Sequence, residues 1–330
     1  MSTTPLRAAM TTVTRQVRAY FAPVNRASET PTIFDPGVSG AFPSDAPPTP
    51  WLDLGWIENF ARWYDTPTNV VRSGAKSLPA GQYRGALEAR VEFDFCQWGK
   101  LQMALAGGSE HMNVLAPVAG SSSPAPSGGT PAPGVAVLAG STASQLVLGA
   151  GASSAFAVGS LVAVDLDYQQ QIGYVGSGIA AAYVSDPLAV KRDPNYVRRV
   201  TFNVGRVAQV TATSVLLAQP LPGGVPAAGA SAQQVIAFVD REGGSFFQEW
   251  SALFVAQEES GGRVCFYYPR LSAGSGGGKA VREQYAAFAK PLSMVTMRAS
   301  FLALPYTDAN DGQTVLCYRS YFPAGMAGVY

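Results

Sequence analysis

The chain has 330 residues, with 23 Lys and Arg against 22 Asp and Glu and a hydrophobic content of 47%. Charged residues make up only 14%, where an ordinary soluble domain carries about a quarter; this and a net charge of +1 exclude a protein that coats nucleic acid through a basic field, and the apolar load excludes a wholly disordered chain. The 35 glycines and 24 prolines argue against a helical bundle and for a turn-rich, mainly β fold, and the scarcity of charge fits a chain that buries surface against copies of itself.

Residues 1–50 read as an N-terminal arm and linker. The first residues contain no continuous apolar stretch of the kind a signal peptide needs. Their Thr and Arg content, with no acid before Glu29, loosely resembles an organellar transit peptide. Leu6, Met10, Val13, Val17 and Phe21 also fall at helical spacing, which fits an amphipathic helix or an arm that docks on a neighbour. Residues 22–50 are Pro-rich and aperiodic, as an extended segment would be.

A first compact region opens at Trp51 with WLDLGWIENFARWY, and residues 65–82 follow as a polar loop with two prolines. In residues 87–95, Leu87, Ala89, Val91, Phe93 and Phe95 alternate with Glu88, Arg90, Glu92 and Asp94. Period-two alternation predicts a strand with one apolar and one charged face. Trp98, Leu101 and Leu105 then share a helix face, and Gly107-Gly108 is a natural stop.

Residues 116–134 are a low-complexity Pro/Ser/Gly linker. No Asp, Glu, Lys or Arg occurs from Met112 to Val164, yet Pro, Gly and Ser interrupt the stretch so often that no run of about 18 apolar residues survives to span a membrane. Residues 135–240 read as an inserted small β domain, a barrel or sandwich of short Val- and Leu-rich strands. The core then resumes over 241–330. Residues 247–257 and 263–270 predict a hairpin about 258–262, residues 272–278 a flexible loop, residues 279–290 a helix, and residues 294–306 with 314–322 a final hairpin about TDANDGQ.

Chemistry is sparse. Cys96, Cys265 and Cys317 are odd in number and unpaired by spacing, as expected of buried, reduced thiols. The single histidine, His111, reads as a loop residue without a nucleophile to activate. GSGGGKA (274–280) lacks the first glycine and the hydroxyl of a phosphate loop, and TDANDGQ (307–313) lacks two ligands of a calcium loop. No cofactor, metal or catalytic constellation is expected, and the chain does not read as an enzyme.

Several stretches together resemble the tail tube proteins of long-tailed bacteriophages: WLDLGWI (51–57) leading into a long polar loop, LEARVEFDF (87–95), WGKLQMALAGG (98–108), EWSALFVAQEESGGRVCFYYPRL (249–271), a helix around 281–289 and the last hairpin. The resemblance implies a β-sandwich or barrel with one or two packed helices, joining copies of itself into hexameric rings whose sheets close a channel and whose rings stack. It also implies tape-measure and tail-end proteins as partners and the passage of double-stranded DNA without specific binding, in a virion assembled in the bacterial cytoplasm. The insertion at 135–240 departs from the family pattern. On this reading Glu88, Arg90, Glu92 and Asp94 face the channel, since an acidic wall repels phosphate. Leu6, Met10, Val13, Val17, Val70, Val71, Arg72 and Lys76 are the candidate contacts between rings. The alternative is a virion-surface or adhesin-like protein whose inserted domain binds a host cell.

Overall fold

A computed structural model describes residues 14–24, 29–39, 42–45, 47–48, 50–66, 68–74, 76–85, 87–97, 99–108, 110–116, 134–165, 203–221, 223–241, 249–258, 261–273 and 297–323. The described chain is mainly β. In order, its elements are β1 (Thr14–Pro23), a single turn α1 (Pro36–Ser39), β2 (Leu52–Asp65), β3 (Thr68–Ser73), β4 (Leu78–Arg84), β5 (Glu88–Phe95), α2 (Lys100–Gly107), β6 (Glu110–Leu115), β7 (Val135–Ala136) and β8 (Gln145–Val147). A 3-10 turn (Ala152–Ala155) precedes β9 (Leu161–Asp165), β10 (Val204–Val210), β11 (Ser214–Leu217), β12 (Ser231–Arg241), β13 (Glu249–Glu258) and β14 (Arg263–Ala273). The last strands are β15 (Met297–Ala303), β16 (Tyr306–Thr307), β17 (Thr314–Val315) and β18 (Tyr318–Phe322).

Six of these strands close a barrel. The order is β13-β1-β2-β5-β15-β14, and β14 pairs back onto β13. Each step is antiparallel. The alternation read in β5 is what fills it: Ala89, Val91, Phe93 and Phe95 point inward to meet Phe21, Trp250, Phe254, Tyr268 and Phe301. Helix α2 joins the same cluster through Ala104, Leu105 and Ala106. It ends where expected, at Gly108, whose left-handed φ of 58° lets its N–H reach the Ala104 carbonyl.

The chain closes this barrel by itself. The expected joining of open sheets from several copies into one large barrel is therefore not how these six strands find partners. Among the described residues of this sheet, β18 alone has a single neighbour, β14.

Three local expectations change. Residues 14–23 form β1, a barrel strand between β13 and β2, in place of an arm or amphipathic helix. The physical reason is that a spacing of four, as from Val17 to Phe21, keeps residues on one side of a strand as well as of a helix. Residues 65–82, read as a polar loop, fold largely as the β3–β4 hairpin. The last hairpin also differs, because β15 pairs with β14 and β5 while β18 pairs with β14. The TDANDGQ turn closes only the short β16–β17 pair. The helix at 279–290 and most of the 272–278 loop lie outside the described residues.

The outer side of β1, β13 and β14 is covered by the segment running from Glu29 to Trp51. Phe34, Phe42 and Trp51 pack there on Tyr20, Leu253, Val255, Cys265 and Tyr267. Hydrogen bonds fix the segment at both ends: the Tyr267 hydroxyl donates to the Thr32 carbonyl (2.8 Å) and the Tyr20 hydroxyl to the Ser44 carbonyl (2.9 Å). Arg270 pairs with Glu29 (2.7 Å) and Glu249 (2.9 Å), and Arg18 with Asp45 (2.7 Å) and Asp53.

The second sheet is a half-barrel in the order β6-β12-β9-β10-β11-β8, with β7 also on β12. Its own apolar cluster includes Val137, Leu146, Leu148, Phe156, Val162, Val164, Val207 and Val215. The sheet takes in β6, which precedes the Pro/Ser/Gly stretch. That stretch thus connects β6 and β7, two strands that both pair with β12.

Candidate functional site

Two exposed features of the barrel unit carry the residues singled out from sequence: the outer wall of β2, β5 and β15, and the β3–β4 hairpin. Register places the wall residue by residue. Glu88 lies opposite Asp65, Arg90 opposite Trp63 and Leu302, Glu92 opposite Ala61 and Ser300, and Asp94 opposite Glu58 and Arg298. Residues directly opposite in a ladder share a face. The wall therefore carries five carboxylates, Glu58, Asp65, Glu88, Glu92 and Asp94, against the guanidinium groups of Arg90 and Arg298.

The four residues predicted to form one charged face do so, pointing away from the apolar interior, but they are unequally exposed. Glu88 is exposed, Arg90 and Glu92 are half-buried, and Asp94 is 9% exposed. Burial of charge requires partners, and the neighbouring strands supply them. Arg298 donates to Glu92 Oε2 at 2.6 Å, and this bond holds the arginine proton more tightly than usual. Asn59 Nδ2 donates to Asp94 Oδ2 at 2.6 Å. The Arg90 guanidinium sits 5.1 Å from the centroid of the Trp63 ring.

Asn59 reaches Asp94 because β2 slips register between Glu58 and Ala61. Its φ of 52° is in the left-handed region that asparagine tolerates better than most residues. Beneath the same corner, burial pushes the Cys96 thiol up to about 11, with Glu58 and Asp94 adding to the shift. None of Asn59, Trp63 or Arg298 was visible as a wall residue from sequence, because only strand register brings them beside β5.

The hairpin is a two-stranded sheet of its own. Every residue of β3 is exposed. Val70 and Val71 are 47% and 49% exposed, and Leu78 on β4 is 61% exposed. Arg72 ties the turn by donating to the Ser77 carbonyl at 3.1 Å. Between Thr68 and Arg84 the sequence has Arg72, Lys76 and Arg84 and no acid. Val70, Val71, Arg72 and Lys76 thus come together on one projecting element. Val17 does not join them: it lies on β1 and packs against the barrel's own interior cluster. Leu6, Met10 and Val13 lie outside the described residues.

The other residues weighed from sequence lie elsewhere. His111 is in strand β6, opposite Asp240, where a loop had been expected. All three cysteines are free thiols. In the TDANDGQ turn, Asp308 Oδ1 accepts from Asn310 N (2.8 Å) and Nδ2 (2.9 Å), and Asp311 Oδ1 accepts from Gln313 N (2.9 Å). Among the described residues no group of three or more His, Cys, Asp or Glu is placed to hold a metal ion, and no helix is long and apolar enough to cross a membrane. Neither a protein-family model nor a curated protein sequence matches this chain.

Proposed function

We propose that this chain is a structural virion protein that assembles with copies of itself into stacked rings, the tail tube of a long-tailed bacteriophage, through which double-stranded DNA passes. The observation that carries the reading is the β3–β4 hairpin. An isolated two-stranded hairpin is marginal in water, and this one shows Val70, Val71 and Leu78 to solvent. Burying exposed apolar side chains contributes about 25 cal/mol per Å², and a neighbouring ring is the surface the repeat would bring to it. The acidic wall supports the same reading, since five carboxylates against two arginines repel phosphate where a basic wall would bind it.

Lateral joining within a ring then uses β18, the strand left with one neighbour. An unpaired edge is a template for another strand, and heterologous contacts of this kind close rings. This replaces the merging of whole sheets that the resemblance implied.

Electron microscopy of the purified full chain tests the proposal. The expected result is hollow tubes of stacked rings with a central pore, reduced to single rings in the variant carrying Val70→Asp and Val71→Asp. Both positions are solvent-exposed, so the variant monomer keeps its circular dichroism and melting temperature. A wild-type protein that stays monomeric at every concentration overturns the reading. Tubes that stack unchanged in the double variant overturn the role of the hairpin.

A further inference from the structure

On the flank of the barrel, a cavity of about 420 Å³ opens between residues 33–36 of the covering segment and the β16–β18 region. Its volume is within the range of about 300–1,000 Å³ that small-molecule sites occupy. Aromatic rings line it. Tyr267 and Tyr318 lie nearly parallel, their planes 19° apart and their centroids 5.8 Å apart, and Tyr306 adds a third ring. Polar groups meet them from two directions: Asp35 from the covering segment, and Asp308, Asn310 and Arg319 from the β16–β18 region.

The polar groups are held in place before any ligand arrives. The Tyr318 hydroxyl donates to Asp308 Oδ2 at 2.5 Å, while Asn310 N and Nδ2 both donate to Asp308 Oδ1. Asp35 Oδ1 accepts from Gly37 N at 2.8 Å. Preorganised side chains lose less freedom on binding.

Charge narrows the ligand class. Asp35 and Asp308 face one arginine, and Asp308 already accepts three hydrogen bonds from within the chain. The cavity is thus neither a strong anion site nor a strong cation site. It offers flat apolar faces together with donors on Asn310 and Arg319 and acceptors on both aspartates. A sugar ring has the matching anatomy, with a C–H face that lies against an aromatic ring and a rim of hydroxyls that both donate and accept. We propose that this cavity is a saccharide-binding site. The inference stands independently of assembly into rings, because every residue in it belongs to one chain.

Saturation-transfer NMR on the full chain, with glucose, galactose, N-acetylglucosamine, lactose, cellobiose and chitobiose as probes, tests this directly. A single ring of ~12 heavy atoms bound at the efficiency of ordinary ligands gives a Kd of about 1 mM. The expected result is transfer to the C–H protons of at least one probe, with the Kd weakened about tenfold or more by Tyr306→Ala and by Asn310→Ala. Asn310 is exposed and Tyr306 only half-buried, so circular dichroism and melting temperature should match the parent. Absence of transfer from all six sugars at about 20 mM overturns the proposal, as does transfer that survives both substitutions. Binding of L-arginine ethyl ester without binding of any sugar also overturns it, and makes the cavity a cation cage.

Discussion

Phe93→Ala should test whether the barrel is complete within one chain. Phe93 is fully buried. Its ring lies nearly parallel to Phe301, at 14° and 5.6 Å, and edge-on to Phe95 at 4.9 Å, Phe254 at 5.4 Å and Phe21 at 6.5 Å. Truncating a buried phenylalanine costs about 3–5 kcal/mol. Aromatic pairs add about 0.5–1.5 kcal/mol beyond burial, though neighbouring pairs do not add independently, so the upper half of the range applies. With a urea slope of about 2 kcal/mol per M, the midpoint should fall by roughly 2 M. Tryptophan fluorescence is the assay, because no tryptophan lies in residues 99–249 and the described ones, Trp51, Trp56, Trp63 and Trp250, belong to the barrel unit. Leu146→Ala, in the second apolar cluster, is the control and should leave that transition in place. A loss under about 1 kcal/mol would contradict a ring packed at the centre of the barrel. On dilute monomer, where assembly contributes nothing, wild type should still unfold in one cooperative transition; a barrel already unfolded there would show that a neighbouring copy completes it.

Two further outcomes follow from the acidic wall. Asn59→Gly keeps the left-handed backbone but removes the donor to Asp94, so it should cost about 1–3 kcal/mol in urea denaturation; Asn59→Asp, which brings a second carboxylate there, should cost more, and a neutral effect of both would remove Asn59 from the wall. Cys96 is held protonated by burial, then by Glu58 and Asp94, with its titration moved from 9.0 to about 11. Because the folded value is the higher one, the stability it contributes is intact below pH 9 and lost as pH rises through 11. Wild type should therefore lose more urea resistance between pH 8 and pH 10.5 than Cys96→Ser does. Equal losses would show that the thiol does not titrate late.

The parts of the fold legible in the sequence were those written in a single local period. The alternation from Ala89 to Phe95 specifies β5 and its inward face. The helix ending at the Gly107-Gly108 stop and the hairpin across 258–262 were equally local. What could not be read was anything set by partners far along the chain. Residues four apart in β1 satisfy either period, and only pairing with Ala256 and Ile57 makes Val17 a strand residue. The β3–β4 hairpin lacks an apolar face to mark it, since neither side of it is buried. The wall residues Glu88, Arg90, Glu92 and Asp94 were visible, but the groups that hydrogen-bond Glu92 and Asp94 were not, because Arg298 is more than 200 positions away and Asn59 arrives through a bulge. TDANDGQ is a turn, as its sequence predicts, although it closes only the β16–β17 pair; His111, read as a loop residue, is a strand position.

The pairing of β6 with β12 has a consequence for how this chain can change over time. Glu110 and Arg241 stand opposite each other in one ladder, so the polypeptide departs for the second sheet and comes back at almost the same point in space, about 5 Å apart as such rungs are. More than a hundred residues hang from a gap no wider than a hairpin turn. Any domain whose own ends lie side by side would fit that socket without moving a barrel strand. Exchanging residues 111–240 for another domain with adjacent ends should therefore leave the six barrel strands in register, as the tryptophan-monitored urea transition would report.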